Sequence, residues 1–345
     1  MPTTDLHIAA CATWLPPTMT AHQALAQGLT DQRTITTTGA TAVAVSHHHS
    51  GPEMAAAAAR TALDRAGPHH RIDLLLHASF YHQGHDLWAP ASYIHHQCLT
   101  TPCPAIEVRQ VSNGAMAALE LAAAYLTADP TRHAALITTG DRFCPPGFDR
   151  WRSDPGTVYA DGGTALILSR TPGLARLRSL VTLSAPDLER MHRGDDPFTR
   201  APLEIRPTID LETCKKAFTR TTADRMRAIS RVATNQHLVI EQALTAAGTT
   251  LDDIDAFALP HLGRRRLEAG YLSKLGIDPG TTTWPWSRTI GHLGAGDPIA
   301  GLDHLTTTGR LTPGTRCLLT SVGAGFTWSA AVIDITATPR TPATR

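Results

Sequence analysis

"RHAALITTG" at Arg132–Gly140 returns as "TRCLLTSVG" at Thr315–Gly323. Each is a short apolar run closed by a glycine, the pattern of a buried strand running into a turn. Working outward, "ALDRAG" at Ala62–Gly67 is echoed by "ALTAAG" at Ala243–Gly248. Each of those is followed by a strand-like run, "RIDLLLHAS" from Arg71 and "DIDAFALPH" from Asp253. "GGTALILS" from Gly162 matches "TWSAAVID" from Thr327. A fixed period of roughly 165–180 residues marks an internal duplication. Each copy alternates helical patterns with Val/Ile/Leu-rich runs, which predicts α/β units with mainly parallel sheets covered by helices. The boundary is expected near residue 172, giving halves 1–172 and 173–345. Phe143–Tyr159 and Asp187–Leu211 have no counterpart and read as inserted loops.

The duplication also pairs "VSNGA" (Val111–Ala115) with "GHLGA" (Gly291–Ala295), so Ser112 and His292 are pseudo-equivalent. "EVRQVSNGAMAALELAAAYL" (Glu107–Leu126) reads as strand, sharp turn and long apolar helix, with Ser112 at the turn. Free N–H groups and positive potential gather at a helix start. Two such starts meeting across a pseudo-twofold axis would stabilise an anion. Serine before a helix is also an ordinary N-cap, and a lone buried histidine is often a satisfied core residue, so the residues alone leave both readings open.

Composition narrows the function classes. Lys plus Arg is 31 and Asp plus Glu is 30 among 345 residues, so no global field draws the chain to nucleic acid or an anionic membrane. No apolar run nears the roughly 20 residues of a membrane span, and the start lacks signal-peptide character. A cytoplasmic protein is expected. The six cysteines show neither a metal-binding nor a disulfide spacing and read as free thiols. "SHHHSG" (Ser46–Gly51) precedes a helical pattern, and adjacent histidines diverge, so an exposed loop rather than a metal site is expected.

Several motifs together resemble the ketoacyl synthase III branch of the thiolase superfamily over nearly the whole chain. "SVGAGFTWSAAVI" (Ser321–Ile333) resembles its glycine-rich ending, "ALPHLGRRRLE" (Ala258–Glu268) its Pro-His helix start, and "YADGGTALILS" (Tyr159–Ser169) its Asp-Gly strand. The resemblance implies a five-layer αβαβα thiolase-like sandwich built from two pseudo-symmetric halves, normally a homodimer. It places Ser112 on the nucleophilic cysteine and His261 on the branch's histidine. His292 falls where the branch usually has asparagine, in wording ("TIGHLGAGD") closer to the elongating ketoacyl synthases. Ser/His/His thus stands where Cys/His/Asn is usual. The backbone N–H groups of Ser112 and Ala324 are implied as the oxyanion hole, and Arg264, Arg265 and Arg266 as a docking surface for an acidic carrier protein. Trp88 falls near an aromatic that reaches the partner's acyl pocket. The branch's coenzyme A stretch should lie near Gly28–Thr41, where no tryptophan stands, so a carrier-protein thioester is the preferred donor over acyl-coenzyme A. No cofactor or metal is implied; the donor brings its own phosphopantetheine.

Serine needs an adjacent base to act as a nucleophile, and either histidine is a candidate. Asp297 follows His292 by five residues, about 140° round an ideal helix, so it orients a histidine only if the turn is irregular; otherwise it caps the helix near Pro298. The chemistry so far suggests an acyltransferase passing an acyl group from thioester to Ser112 and on to a hydroxyl or amine of a small natural-product acceptor, as in antibiotic or polyketide biosynthesis. The alternatives are a priming ketosynthase condensing a starter with malonyl-carrier protein, and a non-catalytic partner subunit.

Overall fold

The computed structural model describes residues 6–341. Its strands are β1 (His7–Trp14), β2 (Thr18–Thr20), β3 (Ala42–Ala44), β4 (Ile72–Ala78), β5 (Ala105–Val108), β6 (Ala134–Asp141), β7 (Gly162–Ser169), β8 (Ala175–Ser184), β9 (Ala256–Ala258), β10 (Arg316–Gly323) and β11 (Thr327–Ile335). Nine of them form a run in the order β5-β4-β6-β7-β1-β8-β11-β10-β9, and β2 and β3 pair separately.

Read from its centre outward, that run shows the duplication. In the first half β4 lies parallel to β6, β6 antiparallel to β7, and β7 antiparallel to β1. The second half repeats this with β9, β10, β11 and β8. Strand pairing joins the halves edge to edge through His7↔Arg176 and Ile8↔Ala175. The sheets are therefore mixed rather than mainly parallel. Between β10 and β11 the reason is length: the three residues Ala324–Phe326 close a reversal, whereas a parallel return needs a crossover of a dozen or more.

Helices fill three layers around the two sheet halves. Gly51–Ala66 covers the outer face of the first half with a run of alanines (Ala55, Ala56, Ala58, Ala59, Ala62) against β1, β4, β6 and β7. Pro stands in its first turn and Gly67 follows its end, as its sequence predicts. Thr222–Ala247 does the same for the second half, burying Val239, Ile240, Ala243 and Leu244 beside Trp328 and Val332. Between the halves lie Gly114–Ala128 and Asp297–Thr307, whose Met116, Leu119, Ile299 and Leu302 join strand residues of both halves in one core. The result is the five-layer αβαβα sandwich. Where the two central helices start, Gly114 comes so close to Ala295 that an added Cβ would lie 3.1 Å from the alanine's. That approach sets Ser112 and His292 side by side.

The six cysteines are free, and among the described residues no group of His, Cys, Asp or Glu is arranged to hold a metal. His47, His48 and His49 are exposed just ahead of the helix start at Gly51. No helix of the described residues is long and apolar enough to cross a membrane.

Candidate active site

Ser112 sits in a single 3₁₀ turn, Val111–Asn113, between β5 and the helix that begins at Gly114. Val111 holds φ 48°, a region that costs a β-branched residue on the order of 1–3 kcal/mol. Contacts from the other half hold the turn. Ser321 Oγ donates to Ser112 O at 2.9 Å, Asn113 Nδ2 to Ser329 Oγ at 2.9 Å, and Gln110 Nε2 to Thr327 Oγ1 at 3.0 Å. Glycine is required at 323: a Cβ there would stand 2.4 Å from Gln110 O and 2.7 Å from Asn113 N. β10 and its turn therefore clamp the serine in place.

His292 is fixed from the first half in the same reciprocal way. Its N–H donates to Val158 O at 2.8 Å and its carbonyl accepts from Ala160 N at 2.8 Å. Tyr159 lays its ring edge-on against the imidazole at 4.9 Å. Ser112 Oγ lies 2.8 Å from His292 Nε2, and His292 Nδ1 lies 2.5 Å from Asp297 Oδ2. A carboxylate only accepts, so Nδ1–H donates to Asp297 and Nε2 is left to accept the Ser112 proton. Both side chains of the His–Asp pair are almost fully buried.

Asp297 is not a helix cap. It accepts from His261 N at 2.7 Å and Leu293 N at 2.8 Å as well as from His292. The backbone between His292 and Asp297 is a turn plus the 3₁₀ segment Gly294–Gly296, which brings the two side chains together where a regular helix would part them. Burial works against ionisation of Asp297, but His261 and His292 outweigh it and hold the carboxyl below its ordinary value.

His261 lies on the other side of the same carboxylate. Its Nδ1 is 3.2 Å from Asp297 Oδ1 and 3.1 Å from Gly291 O, and Nε2 is buried without a hydrogen-bond partner. The ring meets Trp286 edge-on at 5.5 Å. Burial lowers its pKa, and Asp297 opposes that shift. His261 does not line the cavity onto which Ser112 opens, so the two histidine candidates are not equivalent.

That cavity, of about 530 Å³, is lined by Ser112 and His292 together with Gly323 and Ala324 of the β10–β11 turn. The turn thus brings Ala324 to the same space as Ser112. Much of the remaining wall comes from places the sequence reading had set aside as loops: Asp154, Thr157 and Tyr159 from one, Met191 and His192 from the other. Lys215 joins them from the helix Leu211–Phe218. Apart from Tyr159, at the start of the Asp-Gly strand motif, these residues carried no motif. Their only sequence signal is that they lie in or beside the segments without a counterpart in the duplication, where loops carrying specificity are found.

One expectation changes. Arg266 does not offer a free guanidinium for docking: both Nη atoms reach Asp154 at 2.9 Å, and they also bond Thr157 Oγ1 and Pro155 O. The planar fork matches the carboxylate, which turns it into the cavity wall. Arg264 pairs with Glu268 at 2.8 Å, leaving Arg265 as the exposed member of the cluster. Trp88 is partly exposed beside Tyr93 and His85, next to the fully exposed Leu87.

A second buried carboxyl, Asp141, lies near the site without a histidine on it. Its Oδ1 accepts from Phe80 N, Tyr81 N and Gln83 Nε2, and Oδ2 has no partner. Burial pushes its pKa up to about 7.

Comparison with known proteins agrees with this picture. Residues 244–335 match the model of the 3-oxoacyl-[acyl-carrier-protein] synthase III C-terminal region. The β-ketoacyl-[acyl-carrier-protein] synthase III of Rhodospirillum rubrum is 27% identical over 95% of this chain and 98% of its own. A solved structure of the acyltransferase ChlB3 superposes with TM-score 0.92 at 35% identity, covering 97% of this chain and 99% of that one. The synthase III FabH of Xanthomonas oryzae, 19% identical, shares the fold with TM-score 0.76 over 96% of this chain and 99% of its own.

Proposed function

The chain belongs to the ketoacyl synthase III-like branch of the thiolase superfamily, and from that premise we propose that it is an acyltransferase working through an acyl-Ser112 intermediate. The observation that carries this reading is the unbroken line Ser112 Oγ–His292 Nε2 at 2.8 Å and His292 Nδ1–Asp297 Oδ2 at 2.5 Å. It is the arrangement by which a hydroxyl is made nucleophilic.

His292 Nε2 takes the Ser112 proton as Oγ attacks the thioester carbonyl. The oxyanion forms against the backbone N–H groups of Ser112 and Ala324, each such donor being worth about 10²–10³ in rate. The intermediate collapses, the C–S bond breaks, and His292 returns the proton to the departing thiolate. An acceptor hydroxyl or amine then gives its proton to the same Nε2, attacks the ester, and leaves acylated while Ser112 recovers its proton. Asp297 fixes the tautomer and stabilises the imidazolium; His261 is a positioning residue on the far oxygen of Asp297.

An oxygen ester is a weaker electrophile than a thioester, which suits an activated alcohol or amine better than a malonyl-derived enolate. Condensation also loses support from the geometry, since only one of the two histidines faces the cavity. The donor is read as a carrier-protein or coenzyme A thioester and the acceptor as a small natural product, with ChlB3 as the acyltransferase of this shape.

The test is covalent. Incubation with acyl thioesters followed by peptide mapping should place the acyl mass on Ser112, and Ser112→Ala should abolish it. Supplying labelled malonyl-carrier protein to the loaded enzyme should release no carbon dioxide. Acyl mass elsewhere, or labelled carbon dioxide with a ketoacyl product, would overturn the reading.

A further inference from the structure

The transfer chemistry leaves one wall of the Ser112 cavity unused, and that wall is charged. Lys215 Nζ donates to Asp154 Oδ1 at 2.6 Å, and Arg266 grips both oxygens of the same carboxylate. Burial would raise the Asp154 pKa, but the two cations outweigh it and hold it well below the ordinary range. One negative charge thus faces two positive ones. Arg225 and Lys274 also line the cavity, and no second carboxylate does.

Of the two cations on Asp154, one has donors to spare. The Arg266 Nη groups are committed to Asp154, Thr157 Oγ1 and Pro155 O. The Lys215 ammonium has three donors and, among the described residues, one hydrogen-bond partner, with its side chain 25% exposed where it lines the cavity. The group lies close to the chemistry. Tyr159 spans the gap, its ring edge against His292 at 4.9 Å and its hydroxyl 3.3 Å from Asp154 Oδ2. The cavity also has an apolar lining, with Val232, Leu262, Val322 and Phe326 among its residues. A half-buried cation in such a cavity is poorly served by a plain hydrocarbon chain and well served by an oxyanion.

Building on the acyl-Ser112 reading, we propose that the cavity selects an acyl group bearing its own oxyanion, with a carboxylate as the reference case, seated on Lys215 in the cavity onto which Ser112 opens. Asp154 and Arg266 are positioning residues in this arrangement. They fix the lysine by sharing its carboxylate, and leave the incoming anion as its second partner. A phosphate of the donor's pantetheine arm has the same chemistry, so the test uses donors without one.

The full chain is incubated with N-acetylcysteamine thioesters of glutarate and of glutarate monomethyl ester, which differ by one charge, and loading is followed by intact mass. The free acid should load about tenfold faster or more, the scale of one charge-assisted hydrogen bond. Lys215→Met should level the two rates in a variant that remains folded by circular dichroism at the assay temperature, and Lys215→Arg should keep the preference. Equal rates in the unmodified protein would overturn the proposal whatever the variants do. So would a preference that survives Lys215→Met, or one that appears only with phosphate-bearing donors. In each of these cases Ser112 still loads and the transferase reading stands; acyl mass away from Ser112 would overturn both.

Discussion

His292 and His261 flank one carboxylate from opposite sides, and they are not alike. His292 meets Asp297 Oδ2 at 2.5 Å and turns its free nitrogen to Ser112 in the cavity. His261 meets Oδ1 at 3.2 Å, and its other nitrogen is buried with no hydrogen-bond partner among the described residues, while its ring stands edge-on to Trp286. Both rings belong to the second half; what separates them is the neighbour each free nitrogen finds. The identity of a base is therefore a property of the approach between halves, since residue type and family position offer two equal candidates.

The comparison breaks most sharply at His292. His292→Gln preserves a polar group near Ser112 but cannot carry the proton. Loading of Ser112 should fall about 10²–10⁴-fold with the melting temperature little changed. A loss of tenfold or less in stopped-flow loading assays would move the base elsewhere.

A carboxyl without histidines gives the second test. Asp141 has a folded pKa of about 7, above the ordinary 3.8, because it is buried. Between those values the native state holds a proton that the unfolded chain releases, so this group's contribution to stability declines as pH rises through that window. Asp141→Asn keeps the acceptor that Phe80, Tyr81 and Gln83 use and removes the charge. Relative to the unmodified protein it should gain about 2–3 kcal/mol between pH 5 and pH 8 in denaturant titrations. A difference that does not change with pH would show that Asp141 is ionised throughout.

The smallest effect is expected at His261. His261→Ala should lower loading about tenfold, by loosening Asp297 rather than by removing the proton acceptor. His261→Asn, which returns a donor near the Nδ1 position, should recover most of it. Loss equal to that of His292→Gln, unrescued by Asn, would make the two histidines equal partners.

Much of this architecture was legible before any coordinates. The echo of "RHAALITTG" in "TRCLLTSVG" marks β6 and β10, and the pairing of "VSNGA" with "GHLGA" marks the two helix starts that meet. Those signals are local and repeated, so they survive reading one chain at a time. The direction of the strands was less legible, because it depends on whether a connection is a turn or a crossover. Asp297 was legible as a candidate, because the glycines before it and Pro298 after it break helical spacing, but choosing between orienting a histidine and capping the helix needed the path of the turn. The charged wall as an assembly was hidden: Arg266 and Tyr159 stand in motifs, but their gathering with Asp154 and Lys215, from segments up to 112 residues apart, follows no shared pattern.

Ser112 and His292 are separated by 180 positions along the chain, and each is braced by backbone or side chains of the opposite half. A contact that closes so long a loop is entropically expensive to form early. Either sheet half can assemble its local pairings while the hydroxyl still has no base. Chemical competence thus requires both halves in place, and neither half alone gives the serine its base.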